Sequence, residues 1–233
     1  SWSTADDALL DRLMDYCNGT TKMCLEWDID SRDRDNIRAC LLTDADWATD
    51  TSTSKSVSSW NLTLIGPNTK ATTSWGVRKM TFIARSTAEA EVGAFVAGLV
   101  AALLPALLFI ESISAYVQSQ GLPWQCQWRP TAKCDNNAAC TALNSRLAGR
   151  LSLLAKSSRI NLHWSRDQLR RSGIYVARVP TELNSSDLGS KALGNQTHWR
   201  LAYSLMSTCC KIYSDVVWEQ NKAKAGWCPT GTV

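Results

Sequence analysis

The sequence predicts an α/β fold in which a mixed sheet carries helices on its faces. The apolar run at residues 37–43 has the length of a strand, and two more strand-like segments follow it before any helical pattern begins. A Ser-x-x-Glu capping pattern from Ser86 to Glu89 then precedes a long apolar run, which is typical of a helix start. Residues 174–179 alternate in polarity and predict a later strand. This order of strands and helices is typical of a mixed sheet covered by helices.

Length permits one sizeable domain with appendages or two small domains, and a single core is the simpler expectation. The chain has 233 residues, of which 45% are hydrophobic and 20% charged, and its formal charge of +4 permits a polyanionic partner without requiring one. Its nine cysteines are an odd number without a Cys-x-x-Cys pair, which favours reduced intracellular thiols over a zinc ribbon or a disulfide framework. We expect an N-terminal segment at 1–30, a main domain at 31–205 and a tail of unknown role at 206–233.

The first predicted strand ends at acidic residues. If residues 37–43 form a strand, side-chain alternation puts Asp44 on the same face as Leu42. A buried carboxylate is normally paired, hydrogen-bonded or bound to a metal, because burying it without a partner is costly. Alternatively, Asp44 and Asp46 are turn residues that cap the strand end.

The next two strand-like segments predict an antiparallel meander. Residues 57–65 and 71–77 are separated by Gly66-Pro67-Asn68, which is typical of a hairpin turn. Three consecutive strands without an intervening helix therefore form the first half of the predicted sheet.

The helix predicted after Ser86 contains an uncharged stretch at residues 92–110. Its length lies within the roughly 17–25 residues of a membrane-spanning helix. Two glycines, Pro105 and the acids at both ends favour instead two buried helices that meet near Pro105. Glu89 and Glu91 point about 200° apart around a helix, so only one of them can face a common site.

The second half of the chain predicts a short strand, three helical regions and a further strand. These are expected at 132–134 (strand), 136–147 (helix), 160–172 (helix), 174–179 (strand) and from residue 185 onward (helix).

Four acids occupy comparable positions, each at the end of an element or in an apolar stretch. They are Asp44, Glu91, Asp135 and Asp187. Two-metal phosphodiester hydrolysis needs such a set, because oxygen ligands hold two hard divalent ions roughly 3.5–4 Å apart. Carboxylates suit Mg²⁺ or Mn²⁺, whereas zinc usually recruits histidine or cysteine, and the chain has only two histidines.

The segments around these acids resemble, in order, the four acidic motifs of the ribonuclease H domain of copia-type (LTR) retrotransposon Pol polyproteins. They read Leu-Thr-Asp-Ala-Asp-Trp-Ala (42–48), Ser-Thr-Ala-Glu-Ala-Glu (86–91), Asp-Asn-Asn-Ala-Ala (135–139) and Ser-Asp-Leu-Gly-Ser-Lys (186–191). Residues 12–20 are similar to the segment that joins the reverse transcriptase to this domain, and the resemblance covers about residues 9–205.

The resemblance implies a fold, a site and a setting. The fold is a ribonuclease H-like mixed five-stranded sheet, a three-strand meander plus two further strands, flanked by helices. The activity is cleavage of the RNA strand of RNA/DNA hybrids with two Mg²⁺ or Mn²⁺ ions, and the metal-binding catalytic residues are Asp44, Glu91, Asp135 and Asp187. The Glu-x-x-Ala step of the family selects Glu91 over Glu89.

The implied partners are the hybrid and the reverse transcriptase portion of the same polyprotein, with no membrane. The implied location is intracellular, either cytoplasmic in a virus-like particle or nuclear. A hybrid is held through its phosphates and 2′-hydroxyls, so the candidate substrate-binding residues are basic or amide side chains. They are Asn136, Arg159, Arg166 and Arg170.

Each of these candidates has a plainer alternative. The arginines can form a solvated helix face, and Asn136 can cap a helix. Two other functions on the same fold stay open: a catalytically inactive nucleic-acid-binding or structural module, and an integrase-like strand-transfer enzyme.

Overall fold

A computed structural model describes residues 2–21, 25, 27–33, 36–123, 130–145 and 161–205 of the chain. The strands are β1 (Arg38–Asp50), β2 (Lys55–Ile65), β3 (Lys70–Lys79), β4 (Thr131–Cys134) and β5 (Val176–Arg178). The helices are α1 (Thr4–Gly19), α2 (Thr87–Gly98), α3 (Leu104–Ser119), α4 (Asn137–Asn144), α5 (Leu162–Arg171), α6 (Asp187–Ser190) and α7 (Asn195–Leu205).

The strands form one mixed sheet in the order β3-β2-β1-β4-β5. The pairs β1/β2 and β2/β3 are antiparallel, whereas β1/β4 and β4/β5 are parallel. The fold class expected from the sequence, a mixed five-stranded sheet made of a meander and two further strands, is therefore confirmed. The Gly66 N–H donates to the Thr69 carbonyl oxygen across 2.8 Å, which closes the predicted β2–β3 hairpin.

The first strand is longer than predicted. Asp44 was expected at its tip, but β1 continues to Asp50 because pairing with β2 extends past it through Asp46 and Val57. The parallel pairing with β4, in contrast, ends at Thr43 opposite Cys134. Asp44 is thus at the end of the parallel ladder although it lies within a strand, so the alternative that it is a turn residue capping the strand end is wrong.

One face of the sheet is covered by α2. The Ser86 side chain accepts a hydrogen bond from the Glu89 N–H and caps this helix at the predicted place. Phe95 and Leu99 are fully buried against Leu41 and Leu62 of the sheet. Burial of this apolar surface holds α2 in place.

The helical region continues beyond α2 through a π-helical turn at Leu99–Leu103 into α3. The two predicted helices do meet near Pro105, but the second is not buried as expected. Pro105 lies in the first turn of α3, directly after the π-helical turn, and because it lacks an N–H it cannot donate a hydrogen bond to that preceding turn. α3 buries no residue completely, and Leu108 and Phe109 are largely exposed.

The joined stretch Thr87–Ser119 is long and apolar enough to cross a membrane. Core helices of soluble proteins, which are mostly buried, meet the same criterion, and in this stretch 39% of the most apolar window is buried. Length and composition are therefore only weak evidence for a membrane-spanning helix.

The opposite face of the sheet carries α6, a single helical turn. Buried polar side chains line this contact, among them Ser59 and Asn61 of β2 and Ser185 and Ser186 before α6. At the N-terminus, Ser3 and Asp6 form a capping box for α1, which buries no residue. The Tyr16 ring stacks on Trp199 of α7 with centroids 5.9 Å apart. The domain boundaries near residues 30 and 205 stay predictions, and residues 206–233 lie outside the described part of the chain.

Candidate active site

Asp44 and Asp135 are neighbours because β1 and β4 are parallel. The last residues paired between these strands are Thr43 and Cys134, and each acid is the next residue along its chain. Where the parallel pairing of two strands ends, the next residue of each strand lies at the same end of the ladder. Asp44 is completely buried, and the side chain of Asp135 is 11% exposed.

Glu91 reaches the same edge from α2. Its side chain is buried, and its Oε2 atom lies 3.6 Å from the Cys134 sulfur, the residue before Asp135. Glu89 turns elsewhere: its Oε2 accepts hydrogen bonds from the Arg85 N–H and Nε at 3.1 and 3.2 Å. As the helical spacing predicts, only one of the two glutamates faces the site, and it is Glu91.

Asp187 comes from α6, on the other side of the sheet. Asn61 anchors the preceding residues by donating from Nδ2 to the hydroxyls of Ser185 and Ser186 at 3.0 and 3.1 Å. Asn184 donates from Nδ2 to the Thr43 carbonyl oxygen across 3.1 Å. These hydrogen bonds hold the start of α6 against the strand that carries Asp44.

The four predicted acids converge in two overlapping groups that share Asp135. The ligand atoms of Asp44, Asp135 and Asp187 all lie within 4.8 Å of one another, and so do those of Glu91, Cys134 and Asp135. The donor set is dominated by carboxylate oxygens, which suits hard divalent cations such as Mg²⁺ or Mn²⁺. The thiol of Cys134 is a soft donor at one side of this set.

Burial and mutual repulsion change the protonation of these acids. Burial, followed by the charges of Asp44 and Asp135, raises the pKa of Glu91 to about 9. Burial and the charge of Asp44 raise the pKa of Asp187 to about 7, although Lys191 opposes the change. A cation that binds here must therefore displace protons as well as attract carboxylates.

The structure adds a lysine that the sequence analysis did not select as a site residue. Lys191 Nζ lies 2.8 Å from Asp44 Oδ1, 3.1 Å from Asp187 Oδ1 and 3.9 Å from Asp135 Oδ2. Burial alone would lower the pKa of Lys191, but its hydrogen bonds with Asp44 and Asp187 and their charges outweigh burial and raise it. The four-residue spacing from Asp187, which brings two side chains together on a helix, was the available sequence signal.

Two hydroxyl groups also orient the acids. Ser190 hydrogen-bonds Asp44 Oδ2, and Thr181 donates from Oγ1 to Asp135 Oδ2 across 3.0 Å. Asp46, the other acid of the first motif, is half-buried and belongs to neither ligand group of the described residues.

The predicted substrate-binding residues, unlike the four acids, do not come together in one place. Asn136 caps α4, since its Oδ1 accepts from the Ala139 N–H across 3.0 Å, so the plainer alternative describes its contact. Arg166 was expected on a nucleic-acid-facing surface but is only 3% exposed. Its Nε and Nη2 donate to the Ala142 carbonyl oxygen at 2.8 and 2.5 Å, and this contact holds the guanidinium in the interior. Arg170 is exposed near the end of α5 and stays a prediction, while Arg159 lies outside the described residues.

Comparison with known proteins gives matches among solved structures. No protein-family model and no curated protein matches the chain. The chain is similar to the N-terminal RNase H domain of rv2228c from Mycobacterium tuberculosis, solved as a fusion with maltose-binding protein. Identity is 12%, the match covers 72% of this chain and 99% of that one, and the TM-score is 0.39. It is also similar to LC11-RNase H1, isolated from compost by a metagenomic approach, with 10% identity, coverage of 66% and 91%, and a TM-score of 0.37.

Proposed function

We propose that this chain is a divalent-metal-dependent endonuclease that cleaves the RNA strand of RNA/DNA hybrids. The observation that carries the proposal is the convergence of four acids from four separate segments of the chain at one edge of the sheet. Such a concentration of buried negative charge is unfavourable by itself and is normally retained where cations bind. The choice of hybrid as substrate is supported by the order and content of the four acidic motifs.

The residues present fit a pair of hard cations. Asp44, Asp135 and Asp187 would hold one ion, and Glu91 and Asp135 would contribute to a second, with Asp135 shared. Bound Mg²⁺ or Mn²⁺ would supply an activated water and charge stabilisation at the leaving oxygen.

Residues of the chain orient the acids and determine their protonation state. Ser190 and Thr181 each fix one carboxylate oxygen, so Asp44 and Asp135 are oriented before any ligand arrives. Prior orientation of this kind reduces the reorganisation required when the substrate phosphate is positioned. Burial of Glu91 and Asp187 makes their ionised state depend on the cation, which couples assembly of the site to metal binding.

The motif resemblance supplies the setting of the proposal. The hybrid would arise during retrotransposon reverse transcription, with the reverse transcriptase portion of the same polyprotein as the partner of this domain. The cleavage would then take place inside the cell, in a cytoplasmic virus-like particle or in the nucleus, and would need no membrane.

A cleavage assay tests this function. Purified protein is incubated with a hybrid labelled on its RNA strand, in EDTA, Mg²⁺ or Mn²⁺, beside labelled single-stranded RNA and double-stranded DNA. We expect cleavage of the hybrid RNA only when a divalent ion is present.

Two neighbouring substitutions provide matched variants for the assay. Asp44→Asn should abolish cleavage because it removes a central ligand, whereas Asp46→Asn should retain it because Asp46 lies outside both ligand groups. Absence of cleavage by the wild-type protein with any divalent ion would exclude the nuclease. Retained binding of the hybrid in that case would favour the alternative, a catalytically inactive ribonuclease H-like nucleic-acid-binding module.

A further inference from the structure

Lys191 places a positive charge inside the acidic cluster. Its ammonium group contacts three of the four acids, at 2.8 Å from Asp44, 3.1 Å from Asp187 and 3.9 Å from Asp135. The same three carboxylates form one of the two groups whose oxygens lie close enough together to hold a metal ion. One side chain of the protein therefore occupies the space between the ligands of a candidate metal site.

This position gives Lys191 a physical role when no metal is bound. Two buried carboxylates and the partly buried Asp135 repel one another, and an ammonium group that hydrogen-bonds Asp44 and Asp187 and lies 3.9 Å from Asp135 offsets that repulsion. Asp44 is fixed from both sides, because Ser190 hydrogen-bonds one of its oxygens and Lys191 the other. Asp187 is joined to the same ammonium group, which links α6 to β1.

The same position opposes a divalent ion. Mg²⁺ binds oxygen ligands at about 2.0–2.1 Å, so an ion shared by these carboxylates would lie within a few ångströms of the ammonium nitrogen. Two cations so close in a buried site repel each other strongly. Lys191 has a route out of the site, since its side chain is 31% exposed and its four-carbon stem is flexible.

We infer that Lys191 is a tethered cation that assembles Asp44, Asp135 and Asp187 in the metal-free protein and is displaced when a divalent ion binds there. This makes Lys191 a positioning residue, and the inference rests on the proposed function in that it assumes this cluster is a metal site. The ammonium group protects the cluster from collapse or rearrangement without metal, at the cost of a weaker affinity for the ion.

Metal affinity tests this role directly, without an activity readout. Mn²⁺ binding at a fixed pH of about 8 is measured by calorimetry and by the electron paramagnetic resonance of free Mn²⁺, and thermal unfolding is recorded in EDTA and in Mn²⁺. Lys191→Gln should bind Mn²⁺ about tenfold more tightly than wild type, because the competing charge is gone. Lys191→Arg, which keeps the charge, should bind it with near wild-type affinity.

A second lysine provides a control outside the site. Lys79 pairs with Asp50 at the surface, and Lys79→Gln should leave Mn²⁺ affinity unchanged. A purely structural role of Lys191 would lower the unfolding temperature of Lys191→Gln without tightening Mn²⁺ binding, so unchanged or weaker binding overturns the inference.

The outcomes separate this inference from the proposed nuclease. If the wild-type protein binds Mn²⁺ and cleaves the hybrid but Lys191→Gln shows no gain in affinity, only the role of Lys191 fails. If Lys191→Gln gains affinity and neither protein cleaves the hybrid, the role of Lys191 stands and the nuclease fails. If neither protein binds Mn²⁺, both are overturned.

Discussion

Glu91 and Asp187 reach the same site from opposite faces of the sheet, and the two faces hold their helices by different means. The α2 face is apolar, with Val92 and Phe95 fully buried in the core. The α6 face is polar, and the residues before its single turn are held by hydrogen bonds from Asn61. The site therefore depends both on a large non-directional contact and on a few directional ones.

This difference predicts which substitutions change the stability of the fold and which change the alignment of the acids in the site. Burial of apolar area stabilises α2 in proportion to the area and tolerates small shifts. A four-residue helix such as α6 is not stable alone, so its position is set by the hydrogen bonds and ion pairs around it. We therefore expect changes on the α2 face to act mainly on folding and changes on the α6 face to act mainly on the site.

The largest effect is expected from Phe95→Ala. Phe95 is fully buried between α2 and the sheet, so its truncation should lower the free energy of unfolding by about 3–5 kcal/mol. Phe109→Ala is the matched control, because Phe109 on α3 is 67% exposed, and it should change stability by less than about 0.5 kcal/mol. Denaturant unfolding measures both, and equal losses would contradict the assignment of α2 as the apolar anchor.

Two glycines allow the same substitution on each face. A methyl group at Gly98 of α2 would lie 2.9 Å from Trp60 Cβ, and one at Gly189 of α6 would lie 2.4 Å from Ser59 Oγ. Gly98→Ala should cost about 1–3 kcal/mol of stability, as overpacking of a core does. Gly189→Ala should cost less than about 1 kcal/mol but slow hybrid cleavage about a hundredfold, because it moves Asp187.

Unfolding and single-turnover cleavage of both glycine variants measure this contrast. The separation of the two faces would be contradicted if Gly98→Ala, once folded, lost cleavage while Gly189→Ala retained it.

The dependence of stability on pH in the absence of metal involves acids from both faces. Folding raises the pKa of Glu91 from 4.5 to about 9. Protonated Glu91 therefore contributes to the stability of the folded protein, and this contribution is fully present below pH 4.5. That contribution is lost as the pH rises towards 9, and Asp187 adds a similar loss towards pH 7. In EDTA the unfolding temperature should therefore fall from pH 5 to pH 9.

Glu91→Gln isolates the contribution of Glu91 to this pH dependence. Over the same pH range, the unfolding temperature of Glu91→Gln should fall by several degrees less than that of the wild-type protein, because the amide does not titrate. Identical pH profiles of the wild-type and Glu91→Gln proteins in EDTA would contradict the burial of an ionisable Glu91 in this cluster.

The sequence predicted the sheet and the helices well because their apolar patterns are local. The capping pattern at Ser86 placed the start of α2, and helical spacing showed that Glu89 and Glu91 cannot both face the site. The end of β1 was missed because the pairing of Asp46 with Val57 is a tertiary contact that an acidic sequence does not suggest.

The interior of the site was harder to predict. Lys191 joins Asp44 across 147 positions of sequence, and no local pattern encodes that contact. Arg166 resembled its exposed neighbours on α5, and only the nearby Ala142 carbonyl oxygen explains why it is buried. Long-range polar contacts of this kind decide which charged residues belong to the interior.

The most direct test of the central claim measures cleavage when one acid is removed from each face. Single-turnover cleavage of the RNA strand in saturating Mn²⁺ is compared for wild type, Glu91→Gln and Asp187→Asn, after circular dichroism has shown that all three are folded. If the two faces build one metal-dependent site, the cleavage rate of each variant should fall by more than about a hundredfold. Such a loss is larger than the effect of changing a residue that only contacts a metal ligand. A folded variant of either acid that cleaves the hybrid at nearly the wild-type rate would contradict the claim.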